Sequence, residues 1–332
     1  MSSNRILSKL DKRWIAVVSA LAFCVAPFAP AWGQEFPSRN MRLIVNVAPG
    51  GVTDALARLL GHGFTARWGK PAVVENLVGG NSSIAATAVA RAKGDGHTLF
   101  VTADAPFTAT PFLVKNLNFS LSDFTPIEAI CRFVPVLAVK ASLKAKTLQE
   151  FVALAKSRPG ALSFASQGVG TFGHLGMEDF KRRTGIDMVH VPYRGGPPAI
   201  AGLVRGDVDA LITNYPNIAP FEQSGEVVLI AAAGDRRSDF RPDIPTAIEQ
   251  GISGFSVSTW FGIFGPAGMS PELTAKIRDG VEAVLESDKL AEYFKTSSCE
   301  RVKVTPLQFS EMIAADYRHW GDLIKTIGIQ VD

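Results

Sequence analysis

Short apolar runs rich in β-branched residues alternate with amphipathic stretches along most of this chain. Residues 42–102 follow the order strand, helix, strand, helix, strand, and a second series begins after Pro135. Strands that alternate with helices pair in parallel, and the helices cover the sheet as crossovers. The pattern therefore predicts an α/β protein with two doubly wound lobes. The predicted strands are residues 42–47, 72–75, 98–102, 136–139, 162–166, 188–191, 208–212 and 227–233, and the predicted helices are 54–68 with Thr53 as N-cap, 84–92, 174–184, 198–205 and one opened by Thr147.

Two further helices are predicted near the C-terminus, at residues 271–286 and 306–325. The first follows Ser270 as its N-cap, and the second opens on a capping box at Thr305. The chain has 332 residues, which is more than one hydrophobic core usually organises and favours two lobes. The predicted division is a signal peptide at 1–33, lobe 1 at 34–135 plus 258–332, and lobe 2 at 136–257, with a hinge between the lobes.

The N-terminus carries the three parts of a secretory signal peptide. A basic segment precedes an apolar run at residues 14–28, and a small-x-small site ends at Gly33. The run is short for a bilayer span and contains Pro27, which disfavours a retained membrane anchor. Phe23 stands before Cys24, where a lipoprotein signal requires a small residue. We therefore predict cleavage near Gly33 and a periplasmic location.

The charge balance argues against a protein that binds polyanions. The chain has 34 Lys and Arg against 31 Asp and Glu, a formal net charge of +3. The predicted leader carries four of the basic residues and one of the acids, so its removal leaves 30 of each. A neutral chain lacks the basic surface that nucleic-acid binding requires. We therefore expect no nucleic-acid partner.

Two cysteines follow the predicted leader, Cys131 and Cys299. An oxidising compartment would permit a disulfide between them. Each lies in or beside an apolar segment, however, which is typical of a buried free thiol. We favour two buried thiols, and the disulfide is the alternative.

Glycines are concentrated at four predicted strand-to-helix junctions, at residues 49–53, 79–83, 168–173 and 195–197. Such junctions lie at the carboxyl edge of an α/β sheet, where ligands bind. Glycine lets the backbone approach a ligand closely, and the free N–H groups at a helix start favour an anion. Because the junctions are divided between the two series, they predict a convergent site for a carboxylate or a phosphate.

Residues 168–173 also read G-x-G-x-x-G after a strand, the fingerprint of dinucleotide binding. Arg194, at the end of the next strand, would suit a 2′-phosphate. The expected acidic partner is missing, however, and an exported protein leaves the cytoplasmic nicotinamide pool. We therefore predict no cofactor, and a nucleotide-dependent oxidoreductase is only a third hypothesis.

Other catalytic patterns are incomplete. Residues 164–168 resemble a nucleophile elbow around Ser166, but Phe164 replaces the first glycine. His174 is nearby, and we expect it to form a hydrogen bond at the start of a helix. The remaining histidines lack metal-ligand spacing, so no metal site is predicted. We expect no enzyme activity; the alternative is a secreted hydrolase or transferase that uses the same cleft.

Several motifs occur in a fixed order from about Phe36 to the C-terminus. They are residues 42–45 before 49–54, 73–76 before 79–80, 94–99, 123–126, 190–196 and 260–262. In this order they resemble the tripartite tricarboxylate transporter receptors, also called the Bug family of periplasmic solute-binding proteins. The resemblance implies a two-lobed, periplasmic-binding-protein-like fold of type II that closes on its ligand by hinge motion.

The resemblance also implies a small organic carboxylate as ligand: a dicarboxylate, a tricarboxylate, an acidic amino acid or a small aromatic acid. Backbone groups of the first two glycine loops would hold the carboxylate, and the second lobe would supply the other contacts. Some members deliver their ligand to a membrane permease, so a permease or a sensor is a candidate partner, and we expect a monomer. The candidate ligand-binding residues are Pro49, Gly50, Gly51, Val52, Thr53, Asp54, Gly80, Asn81, Ser82, Asp104, Gly168, Gly170, Thr171, Phe172, His174, Tyr193, Arg194, Gly195 and Asn214.

Two positions depart from the family pattern in ways that bear on the ligand. Phe172 stands where the family often has a small hydroxyl residue, and together with Tyr193 it would cover a flat or apolar ligand body. This favours an aromatic carboxylate. Asp104 argues differently, since an acid in the cleft would repel a second carboxylate or pair with an amino group. The sequence leaves the identity of the ligand open.

Overall fold

The computed structural model describes residues 36–257 and 259–330, so the predicted signal peptide lies outside the described residues. No helix in this part of the chain is long and apolar enough to cross a bilayer. The strands are β1 Met41–Val45, β2 Ala72–Asn76, β3 Thr98–Ala103, β4 Phe124–Phe133, β5 Pro135–Lys140, β6 Leu162–Ser166, β7 Met188–Pro192, β8 Ala210–Asn214, β9 Val227–Ala232, β10 Thr259–Pro266 and β11 Glu300–Arg301. The helices are α1 Val52–Trp68, α2 Ser83–Ala90, α3 Ala105–Thr108, α4 Thr110–Leu113, α5 Leu148–Ser157, α6 Phe172–Thr184, α7 Gly196–Arg205, α8 Tyr215–Gln223, α9 Pro271–Leu285, α10 Asp288–Ser297 and α11 Pro306–Ile327.

The strands form two mixed sheets. The first has the order β11-β4-β10-β3-β1-β2, and the second has the order β7-β6-β8-β5-β9. β1 lies between β2 and β3 and is parallel to both, and β6 lies likewise between β7 and β8. Both parallel groups confirm the strand-helix-strand order predicted from the sequence. Antiparallel strands extend them, β10 and β4 in the first sheet and β5 and β9 in the second.

N-caps decide where the main helices begin. Ser270 Oγ accepts a hydrogen bond from the Leu273 N–H at 3.2 Å, and Thr305 opens α11 with the predicted capping box. The prediction that Thr53 caps α1 is wrong, because Gly51 is the N-cap and Thr53 lies buried in the first turn. Since glycine has no side chain, α1 begins without a side-chain cap for its first N–H groups.

Strand β4 is a long inner strand of the first sheet that the sequence pattern does not indicate. Pro126, Glu128 and Arg132 interrupt its apolar residues. Pro126 lies where the register against β10 shifts, so its missing N–H does not break a regular ladder. Glu128 is 2% exposed and accepts a hydrogen bond at 2.6 Å from Arg278 of α9. The residue that neutralises Glu128 lies 150 residues later in the sequence, so a local sequence pattern cannot show that Glu128 is compatible with a buried strand.

Each sheet has its own hydrophobic core, and α11 contributes to both. Phe309 and Ile313, in its first half, belong to the cluster that contains Phe100 of the first sheet. Trp320 and Leu323, in its second half, belong to a cluster of the second sheet. The predicted division into residues 34–135 plus 258–332 and 136–257 remains a prediction, and it does not describe this sharing of one helix.

Cys131 and Cys299 form a disulfide, so the prediction of two buried thiols is wrong. β11 pairs with β4 in a register that sets Arg301 against Cys131. This pairing brings the two cysteines, 168 residues apart in sequence, to a Cα separation of 5.7 Å. The apolar surroundings are real, since both residues are fully buried, but burial alone does not tell a thiol from half of a disulfide.

Candidate functional site

The carboxyl ends of the parallel strands in both sheets lie next to one short crossing of the chain. β4 ends at Phe133 and β5 begins at Pro135, so Val134 alone separates the two sheets here. β4 is antiparallel to β10 and β10 to β3, so β4 ends at the edge where β1, β2 and β3 end. β5 is antiparallel to β8 and therefore begins at the edge where β6, β7 and β8 end. The carboxyl edges of the two parallel groups, where α/β sheets typically bind ligands, therefore meet at Val134.

The predicted site residues follow strands that end at these two edges. Those of the first sheet belong to the loop after β1, the loop after β2 and the end of β3. Those of the second sheet belong to the loop after β6, the loop after β7 and the end of β8. The first group is Pro49, Gly50, Gly51, Val52, Thr53, Asp54, Gly80, Asn81, Ser82 and Asp104, and the second is Gly168, Gly170, Thr171, Phe172, His174, Tyr193, Arg194, Gly195 and Asn214.

The Asp54 carboxylate lies in the first turn of α1, directly after the loop that follows β1, and forms hydrogen bonds with residues of α1 and of β2. It accepts two hydrogen bonds from Arg58 at 2.9 Å, one from Asn76 Nδ2 at 2.9 Å and one from the Gly50 N–H at 3.0 Å. The Arg58 guanidinium, with help from the Gly50 N–H, lowers the pKa of Asp54 from 3.8 to about 2. The acid therefore fixes the loop and is neutralised within it. The first helical hydrogen bond runs from Ala55, so the N–H groups of residues 52–54 precede it at this edge.

The loop after β2 has an unusual backbone. Gly80, Asn81 and Ser82 are all left-handed, with φ of 56°, 48° and 75°. Such angles are costly for Asn and Ser, and residues held this way cluster at functional sites. Ser82 Oγ accepts a hydrogen bond from Asn46 Nδ2 at 2.7 Å, and Asn46 Oδ1 accepts one from Thr102 Oγ1 at 3.1 Å. This chain of bonds joins the ends of β1 and β3 to the start of α2.

Asn46 and Thr102 are not among the site residues predicted from the sequence. Each is a polar residue at the carboxyl end of an otherwise apolar strand, and this position is the sequence signal that could have identified both residues. Neither is a charged or aromatic residue, and neither lies in a glycine loop. Their importance follows from the hydrogen bonds that join separate loops.

Asp104 is a buried acid, 6% exposed, at the end of β3. Its N–H donates to the Trp260 carbonyl at 3.0 Å, and Trp260 Nε1 donates to Asp316 Oδ2 at 2.8 Å. Burial raises the pKa of Asp104 well above its ordinary value, and the negative charge of Asp316 adds to the effect. Both causes favour the protonated, neutral form. A neutral Asp104 does not repel a carboxylate. The expectation that Asp104 would repel the second carboxylate of a ligand is therefore weakened.

The G-x-G-x-x-G loop after β6 is held together by contacts of its own. The Gly170 N–H donates to His174 Nδ1 at 3.0 Å, which confirms the predicted hydrogen bond of His174 at the start of a helix. Thr171 Oγ1 donates to the Gly168 carbonyl at 2.8 Å. A Cβ at Gly173 would lie 2.9 Å from the Ile212 carbonyl oxygen, so this glycine permits close packing of α6 on β8. The packing accounts for the third glycine of the motif without a dinucleotide.

Ser166 and His190 form a hydrogen-bonded pair that faces the interior of the lobe. Ser166 Oγ is 2.7 Å from His190 Nε2, but Ser166 is fully buried and its Oγ also accepts from the Gly168 N–H at 3.2 Å. The His190 ring stacks on His174 with centroids 3.9 Å apart. Burial lowers the pKa of His190 to about 4 and that of His174 to about 3. A serine enclosed in this way is out of reach of a substrate, so the nucleophile-elbow hypothesis loses its support.

The two rings predicted to cover the ligand each pack in part against other residues of the protein. Phe172 is half-buried and packs against the hydrophobic cluster shared with α11. The phenol end of Tyr193 lies on α7, where a Cβ at Gly202 would be 2.3 Å from its Oη. Arg194 is exposed, and Gly195 caps α7 with a φ of 104° that favours glycine. Both rings keep part of their surface exposed, so the preference for a flat, aromatic ligand stays a prediction.

Two buried polar atoms at the crossing have no hydrogen-bond partner among the described residues. Asn214 Oδ1 is at the end of β8, and Asn214 pairs in register with Pro135. Thr259 Oγ1 is at the start of β10, and Thr259 pairs with Phe133 and is 8% exposed. Such atoms are rare in folded proteins and call for a reason. Thr259, like Asn46 and Thr102, is not among the site residues predicted from the sequence. No group of residues in the described ranges could hold a metal ion.

The sequence model of the family described as tripartite tricarboxylate transporter family receptor matches residues 56–329 of this chain. The chain belongs to this family. The match covers every strand of both sheets except β1 and includes the loops after β2, β6 and β7. The predicted membership and the predicted two-lobed, periplasmic-binding-protein-like fold are thereby confirmed. Members of the family are solute-binding receptors and not enzymes, which removes the family basis for a hydrolase or an oxidoreductase.

Individual relatives agree with this membership. The receptor is 30% identical over 321 residues to Protein BugT of Bordetella pertussis, covering 96% of this chain and 98% of the relative. A solved structure of an R. palustris protein with adipate is similar at 29% identity and a TM-score of 0.76, covering 89% of this chain and 99% of that one. MatC from Rhodopseudomonas palustris with bound malate is similar at 29% identity and a TM-score of 0.72, with coverage of 87% and 100%.

Proposed function

We propose that this receptor captures a small carboxylate between its two lobes, for uptake or sensing, and catalyses no reaction. The observation that carries the proposal is the meeting of two edges rich in backbone N–H groups at Val134. The N–H groups of residues 52–54 start α1 without a side-chain cap, which favours an anion. The two nearby acids repel an anionic ligand only weakly. Asp54 is paired with Arg58, and burial favours the protonated, neutral form of Asp104.

The ligand is proposed to carry a second polar group. Asn214 Oδ1 requires a hydrogen-bond donor, and the Thr259 hydroxyl group can donate or accept. A buried polar atom left without a partner is costly, so a ligand that bonds to these atoms gains over one that does not. The R. palustris relatives named above were solved with adipate and with malate, both dicarboxylates, and malate also carries a hydroxyl group. We therefore place small dicarboxylates and hydroxy acids ahead of aromatic acids.

Export, location and partners complete the proposal. The leader at residues 1–33 directs the protein to the periplasm, where the Cys131–Cys299 disulfide is stable. The mature protein acts as a monomer with a division into lobes at residues 34–135 plus 258–332 and 136–257. It delivers its ligand to a membrane permease or a sensor and has no nucleic-acid partner and no cofactor.

A thermal-shift panel of malate, adipate, succinate, benzoate and NADP tests the proposed function. A ligand that binds only the folded protein at 100 times its Kd adds about 2.7 kcal/mol to the free energy of unfolding, which raises the Tm by several degrees. We expect malate or another dicarboxylate to raise the Tm and to be recovered unchanged by mass spectrometry. A shift with NADP alone, or conversion of the added acid, would contradict the proposal.

A further inference from the structure

Glu300 is a buried carboxylate next to the chain crossing. It is 4% exposed and lies in β11, where it pairs with Arg132 of β4. Arg132 is one residue before Phe133, where β4 ends. β11 is two residues long, so its ladder with β4 is short. The bond between Cys131 and Cys299 joins the residues that precede Arg132 and Glu300, and it thus holds Glu300 in place.

The Glu300 carboxylate binds the chain segment 234–239, which follows β9 of the second sheet. Oε1 accepts hydrogen bonds from Ser238 Oγ at 2.9 Å and from the Asp239 N–H at 2.8 Å. Oε2 accepts one from Arg236 Nη2 at 2.5 Å. A buried carboxylate is costly unless such partners compensate for its lost water, so the three donors make this contact specific.

The same segment packs on the crossing itself. A Cβ added at Gly234 would lie 2.9 Å from Val134 Cγ1. Arg132 Nη1 is 3.5 Å from the Asp235 carboxylate, and Arg132 Nε is 3.8 Å from Glu300 Oε2. One charged cluster therefore ties the end of β4 in the first sheet to the chain that leaves the second sheet.

We propose that Glu300 is a positioning residue for lobe closure, held in place by the Cys131–Cys299 disulfide. The inference rests on the proposed function, since it requires that the lobes move about the crossing at Val134. A hinge tied on both sides samples fewer open arrangements, so less conformational freedom is lost when the lobes close on a ligand. Without the tie, the open state becomes broader and the ligand binds more weakly, although its contacts are unchanged.

The test measures the distance between the lobes without any ligand. Spin labels attached by maleimide chemistry at Lys70→Cys and Lys156→Cys, both at exposed positions, report the interlobe distance by electron double resonance. We expect a broader distance distribution in Glu300→Gln and in the double variant Cys131→Ser, Cys299→Ser. Exchange of the Asp239 amide hydrogen should accelerate at least about tenfold in Glu300→Gln, because its charged acceptor is lost.

The matched control is Glu286→Gln, which removes an exposed ion pair with Lys303 at 3.5 Å. Circular dichroism establishes that each variant is folded, and Ser238→Ala, which removes one donor to Glu300, serves if Glu300→Gln does not fold. An unchanged distribution in a folded Glu300 or Ser238 variant, or equal broadening in Glu286→Gln, overturns the proposal.

A second measurement links the positioning role to binding. For the acid that raises the Tm most in the panel, the Kd should rise roughly three- to thirtyfold in Glu300→Gln and recover partly in Glu300→Asp. An unchanged Kd in a variant with a broadened distribution overturns the link to closure. A panel without any binding acid contradicts the proposed function, while the distance measurement still tests the tie between the lobes.

Discussion

Asp54 shows how a carboxylate can belong to a loop proposed to bind an anion without repelling that anion. Its oxygens accept hydrogen bonds from Arg58, Asn76 and the Gly50 N–H, so its charge is compensated within the lobe. The same bonds join the loop after β1 to the end of β2 and to α1. The residue therefore contributes to the site by fixing the backbone that carries the N–H groups.

Replacing Asp54 by Asn should lower the free energy of unfolding at pH 7 by about 1–3 kcal/mol, because Arg58 and the Gly50 N–H lose a charged acceptor. Folding lowers the pKa of Asp54 from 3.8 to about 2, so its contribution is complete above 3.8 and is lost as the pH falls through about 2. Urea unfolding of wild type and variant should therefore converge toward acid pH.

The exposed ion pair between Arg205 and Asp207 supplies the control for this prediction. Asp207→Asn should change the free energy of unfolding by less than about 0.5 kcal/mol at any pH. If the difference between wild type and Asp54→Asn persisted unchanged at about pH 2, the ion pair could not be its cause.

Single residues also mark the limit of what the sequence predicts about the site. The glycine loops can be located because glycine after a strand has a local meaning, and each predicted loop lies at one of the two edges. Asn46, Thr102 and Thr259 are missed because their roles depend on partners or neighbours that folding brings together. The role predicted for the rings of Phe172 and Tyr193 stays a prediction for a related reason, since sequence position does not tell which way a side chain turns.

Among the elements, the parallel strands and their helices are predicted well, and so are the antiparallel strands β5 and β9, whereas β4, β10 and β11 are not. β6 is found at residues 162–166, since a short apolar run between turns is typical of a buried parallel strand. β4 is hidden by Pro126 and Glu128, and β11 is two residues long and held by a disulfide. These elements depend on contacts that are more than 100 residues apart in sequence.

Helix α11 joins the two cores, and substitutions along it should reveal this. Phe309→Ala in the first core and Trp320→Ala in the second should each lower the free energy of unfolding by about 3–5 kcal/mol, because each leaves a cavity in a closed cluster. Leu307→Ala on the same helix, at a side chain that is 68% exposed, should change it by less than about 0.5 kcal/mol. Urea unfolding measures all three variants.

Phe309→Ala and Trp320→Ala together distinguish a helix that stabilises both cores from one that stabilises only a single core. A loss below about 1 kcal/mol for Trp320→Ala, with the full loss for Phe309→Ala, would mean that the second half of α11 does not stabilise the second core.

At the scale of the whole molecule, the two sheets are joined by chain crossings and by α11, which reaches both cores. The crossing at Val134 is where the two amide-rich edges meet, so a rotation about it changes the separation of the loops that form the proposed site. Gly170, in the loop after β6 of the second sheet, lies close to Leu113 of α4, which follows β3 of the first sheet. The proposed site would thus lie on both sides of the crossing at Val134.

A carboxylate that binds between the lobes should make the protein more compact. Small-angle X-ray scattering of the mature protein should show a lower radius of gyration with a saturating amount of the acid that raises the Tm most, because the ligand bonds to both edges only when they approach. An acid from the same panel that leaves the Tm unchanged is the control, and it should leave the radius of gyration unchanged as well. A raised Tm at constant radius would mean that the acid is held by one lobe alone, and the loops of the other sheet would then have no part in binding.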